Sequence, residues 1–339
     1  MEHKPFYFIG NILDPKITAP FLIKQGYEIK KANPSQIKII RTKLDNIREI
    51  SQNRLSYANP YESDIIYVEK EKYYQIEKIE NENDLKYWIL EIDCSIDDYD
   101  KNIETIIKNY QIIDKAFLLS ELNIQLLWGF LHYHVSDKET YVDAISSPNY
   151  RPLNYIKNIS SLKNVTTPLQ NDDFEDIKNY VTRIEQLCDS EKYQTFQKVI
   201  NDLVSYFEIP PKSPFRIIGL FAILEYLLTT NESGKSINKQ LQTKLNLLNN
   251  RFPNKISISD FFKISDGFKF EKIIEKLYAY RSDIAHGNPI DFENKLQILN
   301  NILLVENFLL TLVRRTIRQV LFEPDLIIDF LVHDKNINI

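Results

Sequence analysis

The stretch KLYAYRSDIAHGNP, residues 276–289, holds Arg281, Ser282, Asp283 and His286 within two helical turns' length of chain. Histidine moves protons near neutral pH and arginine is a fixed cation. Together they suit acid–base work on a group that carries or develops negative charge. Phe270, Ile273, Ile274, Leu277, Tyr278, Ile284 and Ala285 recur at helical spacing, and Gly287 with Pro289 ends the pattern. The spacing predicts a helix over 270–287, with a buried stripe of those apolar residues and with Arg281 and His286 in its last turns. Five residues rise about 7.5 Å and turn about 140°, so the two side chains do not stack on one face. They converge if the long arginine folds along the helix and the histidine sits at its frayed end, or if helices from two copies face each other. A plainer arrangement stays open at this point: a histidine at the negative end of the helix dipole and an arginine tied to a bundle carboxylate such as Glu225.

The elements expected to position these residues follow one another after Asp172. DDFEDIKNYVTRIEQL and EKYQTFQKVINDLVSYFE read as helices, and IPPKSP breaks the run, with Ser213 before Pro214 as a helix start. FRIIGLFAILEYLLTT follows, then SINKQLQTKLNLLNN with Ser236 as its cap, the 270–287 helix, and a last helix over ENKLQILNNILLVENFLLTLVRRTIRQVLF, residues 293–322. Amphipathic helices joined by short polar turns make a bundle.

The first part reads as mixed α and β. PFYFIGNI, DIIYVEKEKYYQIEKI, LKYWILEID and IQLLWGFLHYHV carry the aromatic and β-branched residues of strands. NPSQIKIIRTKLDNI opens with Asn33 as cap and Pro34 at the first helical position, and residues 98–122 form a second helical pattern. A stretch rich in Ser, Asn, Pro and Thr, residues 146–173, separates the halves. The fold class is therefore α+β: a mixed α/β domain with aromatic strands over 1–170, then an all-α helical bundle over 171–339.

Composition limits the partners. In 339 residues, 43% hydrophobic and 12% aromatic, there is ample core for two domains. The net charge of −5 argues against a general nucleic-acid coat, yet the balance is uneven. Residues 1–208 carry 25 Lys+Arg against 33 Asp+Glu, whereas 209–339 carry 17 against 14, so the half with Arg281 and His286 is mildly basic and permits an anionic ligand. Two distant cysteines, Cys94 and Cys188, fit a reducing compartment. No leader pattern and no apolar run of about 18 residues is present, so a cytoplasmic protein away from the membrane is expected.

LYAYRSDIAHG near the end of the third helix of a bundle, after a helix reading RIIGLFAILEYLL, resembles the HEPN superfamily, most closely its Apea-like branch associated with bacterial resistance to phage. The family's hallmark is Arg, a polar residue, a few more positions and His, preceded by a Leu-Tyr turn and followed by Gly. Leu277, Tyr278, Arg281, Ser282, His286 and Gly287 stand in those places, and Leu224 with Glu225 match a Leu-Glu pair of the earlier helix. The resemblance covers residues 172–320. It implies a metal-independent endoribonuclease, needing no cofactor, that works as a homodimer with two Arg/His sets in one cleft. His286 would be the general base or acid and Arg281 the phosphate clamp. Ser282 and Asp283 would orient them or the ribose, with Glu225 and Tyr278 in support. The implied product end is a 2′,3′-cyclic phosphate, the implied partner is RNA such as tRNA, and the implied setting is phage defence, abortive infection or toxin-like growth arrest. The superfamily also has inactive members, so the rival is a non-catalytic RNA-binding or dimerising module beside another defence protein or toxin. A third reading is an antitoxin-like regulator that masks a basic protein with its acidic N-terminal domain.

Other features carry less. Arg314, Arg315 and Arg318 lie together on the last helix, as RNA-phosphate contacts or as a solvated face. His132 and His134 share one side of a strand, but no Cys, Asp or Glu cluster completes a metal set, and a plain sheet face is the better reading. His3 and His333 fall in no pattern, and the phosphate-loop, dinucleotide and zinc-protease motifs are absent from the sequence. The N-terminal domain offers aromatic strands without a motif, suited to sensing a phage-derived trigger, covering the nuclease cleft or selecting substrate.

Overall fold

A computed structural model describes residues 4–10, 20–41, 87–94, 96–122, 124–135, 138–146, 170–188, 190, 193–210, 213–230, 234–264 and 267–326. The chain divides into two compact units, the first Met1–Phe117 with Leu122–Val181, the second Leu118–Glu121 with Thr182–Ile339. The division falls at Val181/Thr182, whereas composition places it at 170/171.

Among the described residues the first unit is built on a six-stranded antiparallel sheet in the order β2-β3-β4-β1-β5-β6: β1 Phe6–Gly10, β2 Phe21–Lys24, β3 Tyr27–Lys31, β4 Trp88–Ile92, β5 Gln125–Val135 and β6 Lys138–Ser146. Every residue of β1 and all but one of β4 are buried. Strands covered on both faces read as continuous apolar runs, which is why FYFIG and WILEI lack alternation. On one face Phe6, Phe8, Ile89, Leu127 and Phe130 pack with Ile40 of helix α1, residues 34–41. Tyr7, one residue out of phase, points the other way and stacks at 4.3 Å on Tyr110 of α2, Ile96–Leu119. Opposite Tyr7 stands Gly129, where a Cβ would come within 2.5 Å of the tyrosine ring.

Asn33 caps α1 as its sequence suggests: Gln36 N–H and Ser35 Oγ donate to Asn33 Oδ1, and Gln36 Oε1 accepts from Asn33 N–H, a reciprocal capping box. Two features have no clear signal in the sequence, the β2–β3 hairpin turning at Gly26 (φ 78°) and the strand β6. The strand pattern at 64–79 and most of the 146–173 boundary lie outside the described residues.

After α3, Asn171–Cys188, come α4 Gln194–Tyr206, α5 Phe215–Leu228, α6 Ile237–Arg251, α7 Phe270–His286 and α8 Ile302–Phe322. Mostly helix follows the sheet, so the chain is α+β. α5 touches α4, α6, α7 and α8 and buries Leu220, Phe221, Ile223, Leu224, Leu227 and Leu228. A helix with neighbours on so many sides has to be apolar around most of its girth. Its uncovered face still shows Phe215 at 66% and Tyr226 at 42% exposure. Ser236 caps α6 by accepting from Lys239 N–H. Arg216 of α5 is buried over the Tyr206 ring and lies 2.7 Å from Glu306 of α8, which also accepts from Tyr206 Oη at 2.7 Å. This sequence-silent trio ties three helices through the Glu306 carboxylate, which faces both Arg216 and Tyr206.

The last helix starts later than its pattern predicts, at Ile302 instead of 293. Asn301 Oδ1 accepts from Leu303 and Leu304 N–H, Asn300 takes φ 59°, and Leu296 and Leu299 turn inward on a short 3₁₀ turn. Tertiary burial of those two leucines and a strong cap outweigh the helical periodicity of ENKLQILNN.

Candidate functional site at the end of α7

The end of α7 is a Schellman motif. Gly287 adopts φ 68°, its N–H donates to Ile284 O, and Asn288 N–H donates to Asp283 O at 2.9 Å. Nothing lies within 4 Å of a Cβ placed on Gly287, so the glycine is required by backbone conformation and not by crowding. The motif fixes the turn that carries His286.

The buried stripe of α7 is rotated from the expected one. Phe270, Ile273, Ile274 and Leu277 are buried as predicted, but Tyr280 and Asp283 complete the stripe, while Tyr278 and Ile284 are half-buried and Ala285 is exposed. The reason lies after the helix: Phe292 folds back edge-on to Tyr280 at 5.2 Å and covers that side. The Tyr280 hydroxyl is buried without a hydrogen-bond partner, and burial raises it to about 12.

Arg281 is 26% exposed and reaches α5, where Nη2 donates to Glu225 Oε2 at 3.3 Å. The bond is long, and Arg281 Nε and Glu225 Oε1 stay buried and unpartnered, so the pair is held by charge more than by a bidentate fork. Burial pushes the Glu225 carboxyl up, and the arginine only partly offsets it. Tyr278 lies beside the pair, 5.7 Å from its ring to the guanidinium carbon, and packs edge-on against Phe221. Burial, then the Glu225 charge, raises its hydroxyl. Ser282 is half-buried and His286 is exposed.

Asp283 differs from its neighbours. Its residue is 5% exposed, Oδ2 accepts from Lys295 Nζ at 2.6 Å and Oδ1 from Asn288 Nδ2 at 3.1 Å. These bonds hold its carboxyl below the usual range, and His286 adds a smaller attraction. The structure thus groups the sequence-predicted residues in two sets: Arg281 and Tyr278 of α7 with Glu225 of α5, and Asp283 with His286 on α7. Lys295 escapes sequence reasoning because its partner is 12 positions away and because 293–301, where it lies, reads as the start of the last helix.

The three arginines of α8 have protein partners. Arg314 Nε donates to Leu118 O at 2.8 Å, its guanidinium lies 5.4 Å from the Phe207 ring, and burial pushes it down to about 10. Arg315 forks onto Glu121 at 2.7 and 2.9 Å and also bonds Asn254 O, while Arg318 donates to the same carboxylate. All three hold Leu118–Glu121, two of them through the Glu121 carboxylate. His132 and His134 stand on β5 opposite Tyr141 and Glu139 in register. Among the described residues no group of three or more His, Cys, Asp or Glu is placed to hold a metal, and no helix is long and apolar enough to cross a membrane. Cys94 and Cys188 are not joined in a disulfide. Comparison of the chain with protein-family models, with curated proteins and with solved structures finds no match.

Proposed function

We propose that this chain is a metal-independent endoribonuclease of the HEPN type, working in the cytoplasm as a homodimer in phage defence or growth arrest. The observation that carries the reading is the placement of Arg281 and His286 in the last turns of one bundle helix, with Arg281 steered by Glu225 from a neighbouring helix. In the reaction, His286 takes the proton of a ribose 2′-hydroxyl as the 2′-oxygen forms its bond to phosphorus. The bond from phosphorus to the 5′-oxygen breaks, and that oxygen is protonated by the second histidine of the dimer or by water, leaving a 2′,3′-cyclic phosphate. Arg281, 26% exposed and joined to Glu225 by one long bond from Nη2, has other guanidinium N–H donors for the charge that grows on the phosphate. The uncovered side of α5, with Phe215 and Tyr226 exposed, is where a second copy would bury apolar surface beside Glu225.

One observation favours a second reading. The Arg281 charge is already countered by Glu225 within the fold, as a structural arginine's would be, which suits a non-catalytic RNA-binding or dimerising module. Full-length wild type and His286→Ala, each incubated with total bacterial RNA in excess EDTA, separate the two. Cutting by wild type alone, with cyclic-phosphate ends, is the expected result. RNA binding without cutting selects the module, and neither cutting nor binding sinks both.

A further inference from the structure

We propose that Lys295, seated on the buried carboxylate of Asp283, is a second phosphate-directed cation of the α7 site and binds the backbone of single-stranded RNA next to His286. The inference rests on the nuclease or RNA-module reading above and adds a residue outside the Arg-to-His motif.

Four observations carry it. First, Lys295 is fixed in place. Its turn is closed by Leu296 N–H donating to Asp291 O at 2.8 Å, Leu296 and Leu299 are buried, and Phe292 packs on Tyr280. Second, its ammonium is available. An ammonium has three N–H donors; one goes to Asp283 at 2.6 Å, and the side chain is 56% exposed. Third, Asp283 and His286 are three residues apart on α7, neighbours at about 5–6 Å between Cβ atoms. A cation on Asp283 is thereby held beside the exposed imidazole. Fourth, the local charge requires it. The C-terminal end of a helix presents about half a negative charge, and Asp283 adds a full one, so an RNA phosphate reaching His286 would be repelled at a bare helix end. Arg281 cannot supply the correction alone, because it projects about 140° around the helix from His286 and is directed at Glu225. Of the two other carboxylates on the Lys295 turn, Asp291 is occupied by Glu293 N–H, Asn294 N–H and Asn294 Nδ2, and Glu293 is exposed to solvent.

A lysine that merely closed the helix end would act through its hydrogen bond, and one that meets phosphate acts through its charge. Lys295→Gln keeps a donor for Asp283 and removes the charge, while Lys295→Arg keeps both. The test uses full-length protein in a His286→Ala background, so the RNA stays whole, with a fluorescent 20-nucleotide oligouridine followed by anisotropy over a salt series. Lys295→Gln is expected to weaken binding about 3- to 10-fold at low salt and to flatten the log K against log salt line by about 0.7 for each phosphate that is no longer neutralised. Lys295→Arg is expected to retain the parent slope. Equal affinity and slope for Lys295→Gln, or no binding by the parent at any salt, overturns the inference. Cleavage assays stand apart: a Lys295-dependent slope in a protein whose wild type cuts nothing upholds this inference and sinks the nuclease. Should Lys295→Gln melt early, Asp283→Asn/Lys295→Gln, which leaves no buried charge, replaces it with the same slopes deciding.

Discussion

At the scale of single residues, Asp283 and Glu225 are two carboxylates on adjoining helices with opposite titration behaviour. Asp283 is bonded to Lys295 and Asn288 and titrates below the usual aspartate range. Its contribution to stability is present above the ordinary pKa of about 3.9 and is lost as pH falls through the depressed value. Asp283→Asn should therefore melt with a shallower acid limb than wild type below about pH 4, measured by circular dichroism at a series of pH values. Glu225 is raised by burial, so the stability gained from its protonation is present below the ordinary glutamate range and lost as pH rises through the raised value. Glu225→Gln should gain on wild type across that rise. The sequence singles out Asp283 but gives no sign of its partner Lys295. Arg281 to Glu225 was legible as a pair because both stand on strongly periodic helices, whose faces follow from spacing alone.

At the scale of elements, the end of α7 depends on one left-handed residue. Gly287→Ala meets no atom within 4 Å, so its cost is the backbone cost of φ 68°, about 1 kcal/mol. Thermal melting should register that loss, and on the proposed nuclease reading the variant should also cut RNA more slowly at a temperature where it is still folded. Caps and breakers made such boundaries readable: Asn33, Ser236 and Gly287 each do locally what their type suggests. The start of α8 was not readable, because LQIL satisfies a helical period and only the pocket that takes Leu296 and Leu299 shows otherwise. β6 and the β2–β3 hairpin escaped for a related reason. Short strands such as FLIK and KETYVDAIS are defined by the strands they pair with, not by their own pattern.

At the scale of the whole molecule, the helical unit is completed by four residues from far upstream. Arg314, Arg315 and Arg318 all engage Leu118–Glu121, and Glu121 takes two of the three charges. Glu121→Ala should lower stability by about 1 kcal/mol after allowance for its exposure, and the loss should shrink in high salt. A melting shift of about 2–4 °C is the corresponding readout. A fragment that begins after residue 121 lacks the same carboxylate, so it should be less stable than the helical unit within the full chain.

The sheet has a temporal consequence. β1 lies between β4 and β5 and pairs with both, so among the described residues β1 meets no partner strand until the chain through 88–92 and 125–135 has been made. Pairings that distant are slow to form, and a slip of one residue would turn every side chain to the wrong face. Gly129 limits that error. A Cβ at the position opposite Tyr7 would come within 2.5 Å of its ring, so a slip that sets any other residue type there meets that clash. During synthesis the first strand therefore waits in a state where its register is checked by a single missing side chain.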